Sequence, residues 1–246
     1  MSDEREAERQ KDEFISIVSH ELKTPLTPLK ALAQLLRLRL RRHREEGRPL
    51  DLDSLDTNLR TIERQVDRMA GLVNDLLEVS RAGQGRFELQ PQELDLGPVV
   101  GDVVRRQQEL VADEGKHTVT LDAPESLVMT GDALRLEQAL TNVVANAVKF
   151  SPSGGVVRIV VAERDGMISI AVRDPGIGIA ANDLPELAKP FARGSRRTRM
   201  FSGLGIGLYL ARLVAERHGG SLKLASDGED KGTTVTLLVP RGGPKP

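Results

Sequence analysis

The stretch Leu52-Asp53-Ser54-Leu55-Asp56-Thr57-Asn58-Leu59-Arg60-Thr61-Ile62-Glu63-Arg64-Gln65-Val66-Asp67-Arg68-Met69 reads as a helix with a seam. Leu52, Leu55, Leu59, Ile62, Val66 and Met69 alternate spacings of three and four, and Val73 and Leu76 continue the series. Apolar residues at that interval return to one helix face and fill the core positions of a heptad. The series stops at Ser80 and Gly83, where a glycine just past the last seam residue suits a helix C-terminus. Upstream, Asp12 to about Arg44 contains no glycine, and Phe14, Val18, Leu22, Leu29, Leu32, Leu36 and Leu40 recur at helical intervals. Gly47-Arg48-Pro49 separates the two helices, which are similar in length and should fold back as an antiparallel hairpin. The apolar burial one hairpin can achieve falls short of the entropy lost in ordering it. Two hairpins are therefore expected to pair into a four-helix bundle, which makes the protein a homodimer.

Beyond Phe87 short β-rich runs alternate with helical patterns, and most of the 23 glycines lie in this second half. The spacing predicts strands over Phe87–Leu89, His117–Leu121, Leu127–Met129, Val156–Ala162, Met167–Arg173, Ser221–Ala225 and Thr233–Val239, with helices near Gly97–Glu114, Asp132–Phe150 and Gly205–His218. Arg164-Asp165-Gly166 is a hairpin signal, so the sheet must be at least partly antiparallel and a doubly wound nucleotide fold is disfavoured. The expected architecture is thus a dimeric helical hairpin over residues 1–85 followed by a two-layer α/β sandwich over 86–246.

Composition narrows the function classes. Of the 246 residues, 35 are basic and 36 acidic, so no bulk field draws the molecule to nucleic acid or an anionic membrane. Aromatics make up 2% of the chain, too few for a base-stacking platform. The longest stretch free of charged residues, Met200 to Ala211, is far short of the roughly 20 apolar residues that cross a bilayer. The absence of cysteine excludes disulfides, thiolate metal sites and thiol catalysis, and the charged first 20 residues are unlike a secretory signal. These readings point to the cytosol.

One histidine stands out. With His20 at zero and about 100° per residue, Phe14, Val18, Leu22, Leu29 and Leu36 fall between about 120° and 200°, so His20 should face water. Thr24 lies about 40° from it, one turn along, and Glu21 about 100° round. A neutral imidazole is a good nucleophile, and a carboxylate that takes its other ring proton fixes the tautomer and stabilises the charge formed on attack. Glu21 is suited to that role, and Pro25 should bend or loosen the helix beside it. His43, His117 and His218 carry no such neighbours and read as structural.

In the second half, Asn142, Asn146 and Lys149 project from one helix face. Amide oxygens can ligate Mg²⁺ and a lysine can hold phosphate oxygens, although a pair of asparagines and a lysine is also the usual wet face of a helix. Asp174-Pro175-Gly176-Ile177-Gly178 follows a strand, so the carboxylate can accept an exocyclic amino hydrogen of adenine while the glycines let backbone approach base and sugar. Gly203-Leu204-Gly205-Ile206-Gly207-Leu208 opens a helix whose unpaired amides suit phosphates. It lacks the Lys-Ser/Thr of a Walker loop, and no strand leads directly into it as in a Rossmann fingerprint.

The run Phe14-Ile15-Ser16-Ile17-Val18-Ser19-His20-Glu21-Leu22-Lys23-Thr24-Pro25-Leu26 resembles the phosphoacceptor box of sensor histidine kinases. The later segments resemble the boxes of their catalytic domain, an ATP-binding fold similar to that of type II topoisomerases and mismatch-repair ATPases. Asn142, Asn146, Lys149 and Phe150 match the asparagine box, and Asp174, Gly176 and Gly178 the first glycine box. Pro190, Phe191 and Arg193 represent the phenylalanine box, Gly203, Gly205 and Gly207 the second glycine box, and Gly232-Thr233-Thr234 the last. The resemblance implies ATP and Mg²⁺ as cofactors, with Asn146 on the metal, Asn142 and Lys149 on phosphates and Asp174 on adenine. It also implies cofactor contacts at Phe150, Gly176, Gly178, Arg193, Gly203, Gly205, Gly207, Leu208 and Thr233, with Arg193–Ser202 as a mobile lid. The activity implied is autophosphorylation of His20 assisted by Glu21, then transfer to an aspartate of a response regulator receiver domain. Thr24 would orient water for dephosphorylating that regulator. Pro175, Leu187 and Lys189 depart from the family pattern. Two rivals use the same fold without phosphotransfer: an ATPase clamp, which has no use for His-Glu beside Thr-Pro, and a nucleotide-binding dimeric scaffold, which has little use for the full set of asparagines, lysine and glycines.

Overall fold

The computed structural model describes residues 2–47, 49–112, 115–185, 187, 201 and 204–244, with side chains described from Val18 onward. Two compact units result, Met1–Glu78 and Val79–Pro246.

The first unit is built from α1 (Ser2–Glu46) and most of α2 (Leu52–Gly83). Asp51 caps α2, its Oδ1 accepting the amide of Ser54 at 3.1 Å, and Arg39 on α1 donates to the Ser54 hydroxyl, which ties the two helices together near the turn. Half of the α2 seam lies against α1: Leu55, Ile62, Met69 and Leu76 are partly buried. The other half, Leu52, Leu59, Val66 and Val73, repeats every seven residues and stays exposed. Leu26, Leu35, Leu38 and Leu40 are exposed on α1, so Leu40 does not belong to the buried seam of the hairpin as its spacing suggested. α1 runs uninterrupted through Pro25 and Pro28, and the Pro25 ring is buried. Each proline removes the amide that would reach the carbonyl four residues back, at Glu21 and Thr24.

The second unit has a two-stranded sheet, β1 (Gln92–Asp95) with β3 (Val128–Gly131), and a five-stranded sheet. The larger sheet is ordered β2 (His117–Asp122), β4 (Gly155–Arg164), β5 (Met167–Asp174), β7 (Thr233–Pro240), β6 (Ser221–Ala225). Only β2 and β4 run parallel; the other pairings are antiparallel. Asp165 and Gly166, both at positive φ, make the tight β4–β5 turn that the sequence signalled. Period-two burial on β4 (Val157, Ile159, Val161), β5 (Ile168, Ile170, Val172) and β7 (Val235, Leu237, Val239) sends one face into a single core shared with α3 (Leu96–Ala112), α4 (Ala133–Lys149) and α5 (Gly207–Arg217). This is a two-layer sandwich, as expected.

The expected strand Phe87–Leu89 is not one: Phe87 is a buried core residue in an irregular segment, and the strand lies further on at Gln92–Asp95. A single aromatic that must be buried does not need a ladder to bury it.

Candidate functional site

His20 lies mid-way along α1 with its imidazole 78% exposed. Thr24, also exposed, donates its hydroxyl to the His20 carbonyl at 2.9 Å, so the two side chains share one face a turn apart. Glu21 does not share that surface. Its side chain is 3% exposed and reaches toward α2, where Arg68 Nη2 lies 4.0 Å from Oε2. The other carboxylate oxygen, Oε1, lies 3.9 Å from His20 Nδ1, close enough for electrostatic support but beyond hydrogen-bond length. The expectation of a solvent-facing carboxylate is therefore corrected. Residues 18, 21, 25 and 28 line the side of α1 that packs on α2, and Glu21 falls within that face.

The second cluster gathers at the C-terminal half of α4 and the N-terminus of α5. α4 begins with Asp132 as its N-cap and presents Asn142, Asn146 and Lys149 in its last turns. Asn142 packs against Gly207, the first residue of α5, so closely that a Cβ there would lie 3.3 Å from Asn142 Cγ. The Asn142 Nδ2 is buried and has no hydrogen-bond partner among the described residues, an amide donor held ready for an acceptor. Among the described residues no side chain caps the N-terminus of α5, whose first amides and positive dipole end lie beside that asparagine. Gly205, at φ +70°, turns the chain into this helix. Lys149 Nζ sits 4.6 Å from the centroid of Phe150, and Phe150 meets Phe201 edge-on at 5.1 Å.

Asp174 ends β5 and is buried. Its Oδ1 accepts the amides of Gly176 at 2.8 Å and Thr233 at 3.2 Å, which pins the first glycine segment to the start of β7. Its Oδ2 has no hydrogen-bond partner among the described residues. Burial pushes this carboxyl above its ordinary value, against the two amide hydrogen bonds that pull it down. The glycines here are required by close backbone approach: a Cβ on Gly176 would lie 2.3 Å from the Phe150 carbonyl oxygen, and Gly178, at φ +63°, would meet Gly228 O at 2.0 Å. Ser226, which the sequence did not single out, accepts the Ile179 amide at 3.0 Å and ties that loop to 228–232. Only a serine in a turn-rich run, Ser226-Asp227-Gly228, marks it beforehand.

Arg193, Gly203 and the phenylalanine-box residues Pro190 and Phe191 lie outside the described residues, as does most of the segment read as a lid. Among the described residues no group of three or more His, Cys, Asp and Glu side chains could hold a metal ion. The donor set at α4 is of another kind. Asn146 would offer an amide oxygen on the same helix face as the buried Asn142 amide donor and Lys149, a donor set that fits a hard cation sharing its ligands with a bound nucleotide better than a metal held by protein alone.

Residues 10–85 match the His Kinase A (phospho-acceptor) domain, and residues 131–243 match the histidine kinase-, DNA gyrase B- and HSP90-like ATPase family. The chain belongs to the sensor histidine kinases. This kinase core is 35% identical over 244 residues to the sensor-like histidine kinase SenX3 of Mycolicibacterium smegmatis, an alignment covering 97% of the chain and 60% of SenX3. It is 30% identical over 243 residues to the sensor histidine kinase WalK of Bacillus subtilis, covering 98% of the chain and 38% of WalK. The chain thus spans from 38% to 60% of the length of these curated relatives. Its fold is like that of the Acinetobacter baumannii histidine kinase AdeS, with TM-score 0.64 at 23% identity over 90% of this chain and 98% of that one. It is also like that of full-length ShkA, solved in complex with AMPPNP, with TM-score 0.63 at 22% identity over 94% of this chain and 46% of that one. The ATPase family match makes the sandwich of the kinase an ATP-binding domain. No helix among the described residues is long and apolar enough to cross a membrane.

Proposed function

We propose that this chain autophosphorylates His20 with ATP and then supplies an aspartate on a response regulator receiver domain. The observation that carries the reading is a freely exposed imidazole on α1, backed by a buried carboxylate, in the same chain as an ATP-binding domain. Nδ1 is the ring nitrogen nearer Glu21, which leaves Nε2 to attack. The bond from γ-phosphorus to the bridging oxygen breaks as the bond from Nε2 to phosphorus forms, ADP departs, and the charge appearing on the ring is stabilised through Nδ1 by Glu21.

On the ATP side, the buried Nδ2 of Asn142, Lys149 and the first amides of α5, from Gly207 and Leu208, would hold phosphate oxygens. Asp174 Oδ2 would accept from the adenine amino group while Oδ1 stays engaged with Gly176 and Thr233. Gly176 and Gly178 would bring their backbone against the base, and Phe150 would wall the pocket beside Lys149. Asn146 would hold Mg²⁺, which when bound neutralises charge on the phosphates. Gly205 shapes the turn before α5, and by the family resemblance Arg193 would contact phosphate from the lid and Gly203 from the second glycine segment.

The functional division is taken as a phosphotransfer and dimerisation domain over 1–85 and a catalytic domain over 86–246, working in the cytoplasm. The exposed heptad stripe Leu52, Leu59, Val66 and Val73 supports a homodimer, because a second copy would cover it in a four-helix bundle. Incubation with γ-labelled ATP should give an acid-labile, alkali-stable label that is lost in His20→Gln; equal labelling of that variant would overturn the site. In Thr24→Ala, autophosphorylation should persist while dephosphorylation of the regulator fails, and the reverse pattern would reassign Thr24.

A further inference from the structure

His218 is completely buried at the C-terminal end of α5, and both ring nitrogens are engaged. Nδ1 lies 2.8 Å from the Val214 carbonyl, so it carries the proton, and Nε2 accepts the backbone amide of Asp132 at 3.0 Å. A neutral ring is the only form compatible with both bonds. Burial favours that form, against the Val214 hydrogen bond and the Asp132 carboxylate, which favour the cation. Arg135 on α4 and Glu216 and Arg217 on α5 are the other charged residues near this junction in sequence.

Asp132 carries two further ties. Its Oδ1 caps α4 through the Arg135 amide at 3.1 Å, and its Oδ2 accepts the Gln90 amide at 2.8 Å. Gln90 belongs to the segment that follows α2. That segment is also held by Arg217, which donates to the Phe87 carbonyl at 3.0 Å, and by Arg135, stacked 4.7 Å from the centre of the buried Phe87 ring. Ala82, in the last turn of α2, packs against the same core. The helices themselves run antiparallel: Gly207 meets Asn142 at one end and His218 meets Asp132 at the other. The two ends of this helix pair are therefore about 16 Å apart, one carrying the nucleotide groups and the other gripping the linker.

We propose that Asp132 is a positioning residue that couples the 84–91 linker to the nucleotide-holding pair α4 and α5, with neutral His218 fixing its backbone. Nucleotide binding at the Asn142–Gly207 end would then be felt as tighter holding of the linker, and displacement of the linker as a change in delivery of ATP to His20. This rests on the kinase reading only for its effect on phosphotransfer; the coupling between nucleotide and linker stands apart from it.

Two variants separate linker coupling from helix integrity. Asp132→Ser keeps a good N-cap for α4 but cannot reach Gln90. Gln90→Pro removes the amide donor and leaves Asp132 and its cap untouched. In the unmodified chain, ADP or AMPPNP with Mg²⁺ should slow amide hydrogen exchange over residues 84–90. In both variants exchange over residues 84–89 should quicken by about tenfold or more, and nucleotide should no longer slow it. The KM for ATP should stay within about twofold while kcat for autophosphorylation changes by at least about fivefold. Linker exchange indifferent to nucleotide in the unmodified chain overturns the proposal. So does a Gln90→Pro protein that keeps the nucleotide response. A purely architectural Asp132 would instead raise KM and lower the melting temperature in Asp132→Ser, with Gln90→Pro silent. Should His20 fail to label in the unmodified chain, the kinase reading falls and the exchange measurements still judge the coupling.

Discussion

His20 and Glu21 are neighbours in sequence whose side chains leave α1 about 100° apart: the imidazole is bare to solvent, while the carboxylate is enclosed between α1 and α2 with 3.9 Å separating Nδ1 from Oε1. The carboxylate can steady one ring nitrogen from inside the hairpin without obstructing the other. A group that stabilises the developing charge at that range contributes rate rather than binding. Glu21→Gln should therefore lower the autophosphorylation rate by about 10²-fold with little change in KM for ATP, measured as initial labelling rates. A rise in KM with kcat intact would assign Glu21 to architecture alone.

Gly207 tests the contact between α4 and α5. A methyl group there would lie 3.3 Å from Asn142 Cγ, so the asparagine must move by a few tenths of an ångström. Alanine also favours the helix that begins at this residue. Gly207→Ala should therefore keep or slightly raise the melting temperature while weakening ATP binding by about tenfold, or ~1.4 kcal/mol. Unchanged ATP affinity in titration calorimetry would remove Asn142 from the phosphate site.

Much of this was legible in the chain. The three-four spacing from Leu52 to Leu76 carried the second helix, and Arg164-Asp165-Gly166 carried the antiparallel turn, because each depends on local chemistry. Glu21 was not legible: the angular count put it just outside the seam, but an arginine on α2 gives a carboxylate a reason to turn inward that no single-helix projection contains. β1 was missed because Gln92-Glu93-Leu94-Asp95 is short, exposed over its first two residues, and held by β3 more than 30 residues later. His218 read as a bland helix end, since its partner, the Asp132 amide, is 86 residues away in the chain.

Asp174 allows a change of specificity. In Asp174→Asn the amide oxygen can keep accepting from Gly176 and Thr233, which preserves the loop, while the amide nitrogen replaces the free acceptor. A donor facing the adenine amino group is repulsive, whereas one facing the guanine carbonyl is not. ATP affinity should fall by about 10- to 100-fold and the ratio of GTP to ATP binding should rise, measured by competition with a fluorescent nucleotide. In the unmodified protein ATP binding should weaken as pH falls through the Asp174 pKa, which burial has raised, because protonation removes the acceptor.

Asp75 gives the hairpin its own pH dependence. Burial first, and the nearby Glu78 charge second, push its carboxyl up from 3.8 to about 6. A raised folded-state value means the neutral acid is the favoured form in the fold. Its stabilising contribution is complete below the unfolded value of 3.8 and is lost as pH rises through about 6. Asp75→Asn should therefore raise the melting temperature at pH 8, by the equivalent of about 1–2 kcal/mol after allowance for partial solvent access, and make little difference at pH 4. A stabilisation that grew toward low pH would contradict the burial argument.

The exposed stripe on α2 makes the last prediction. Leu59 and Val66 are 45% and 51% exposed in the single chain, yet they sit at the same heptad phase as Leu52 and Val73, seven residues apart along the helix. Residues that α1 does not cover at a strict seven-residue interval are placed to meet another helix of matching period. Leu59→Glu with Val66→Glu would set four carboxylates against one another across the axis of a paired bundle, at a cost that such a seam cannot absorb. Sedimentation should show the unmodified chain as a dimer at micromolar concentration and the double variant as a monomer. Nucleotide binding should survive in that monomer, because the Asn142–Gly207 contact and the Asp174 loop belong wholly to the second unit. A double variant that remains dimeric would move the interface off this stripe.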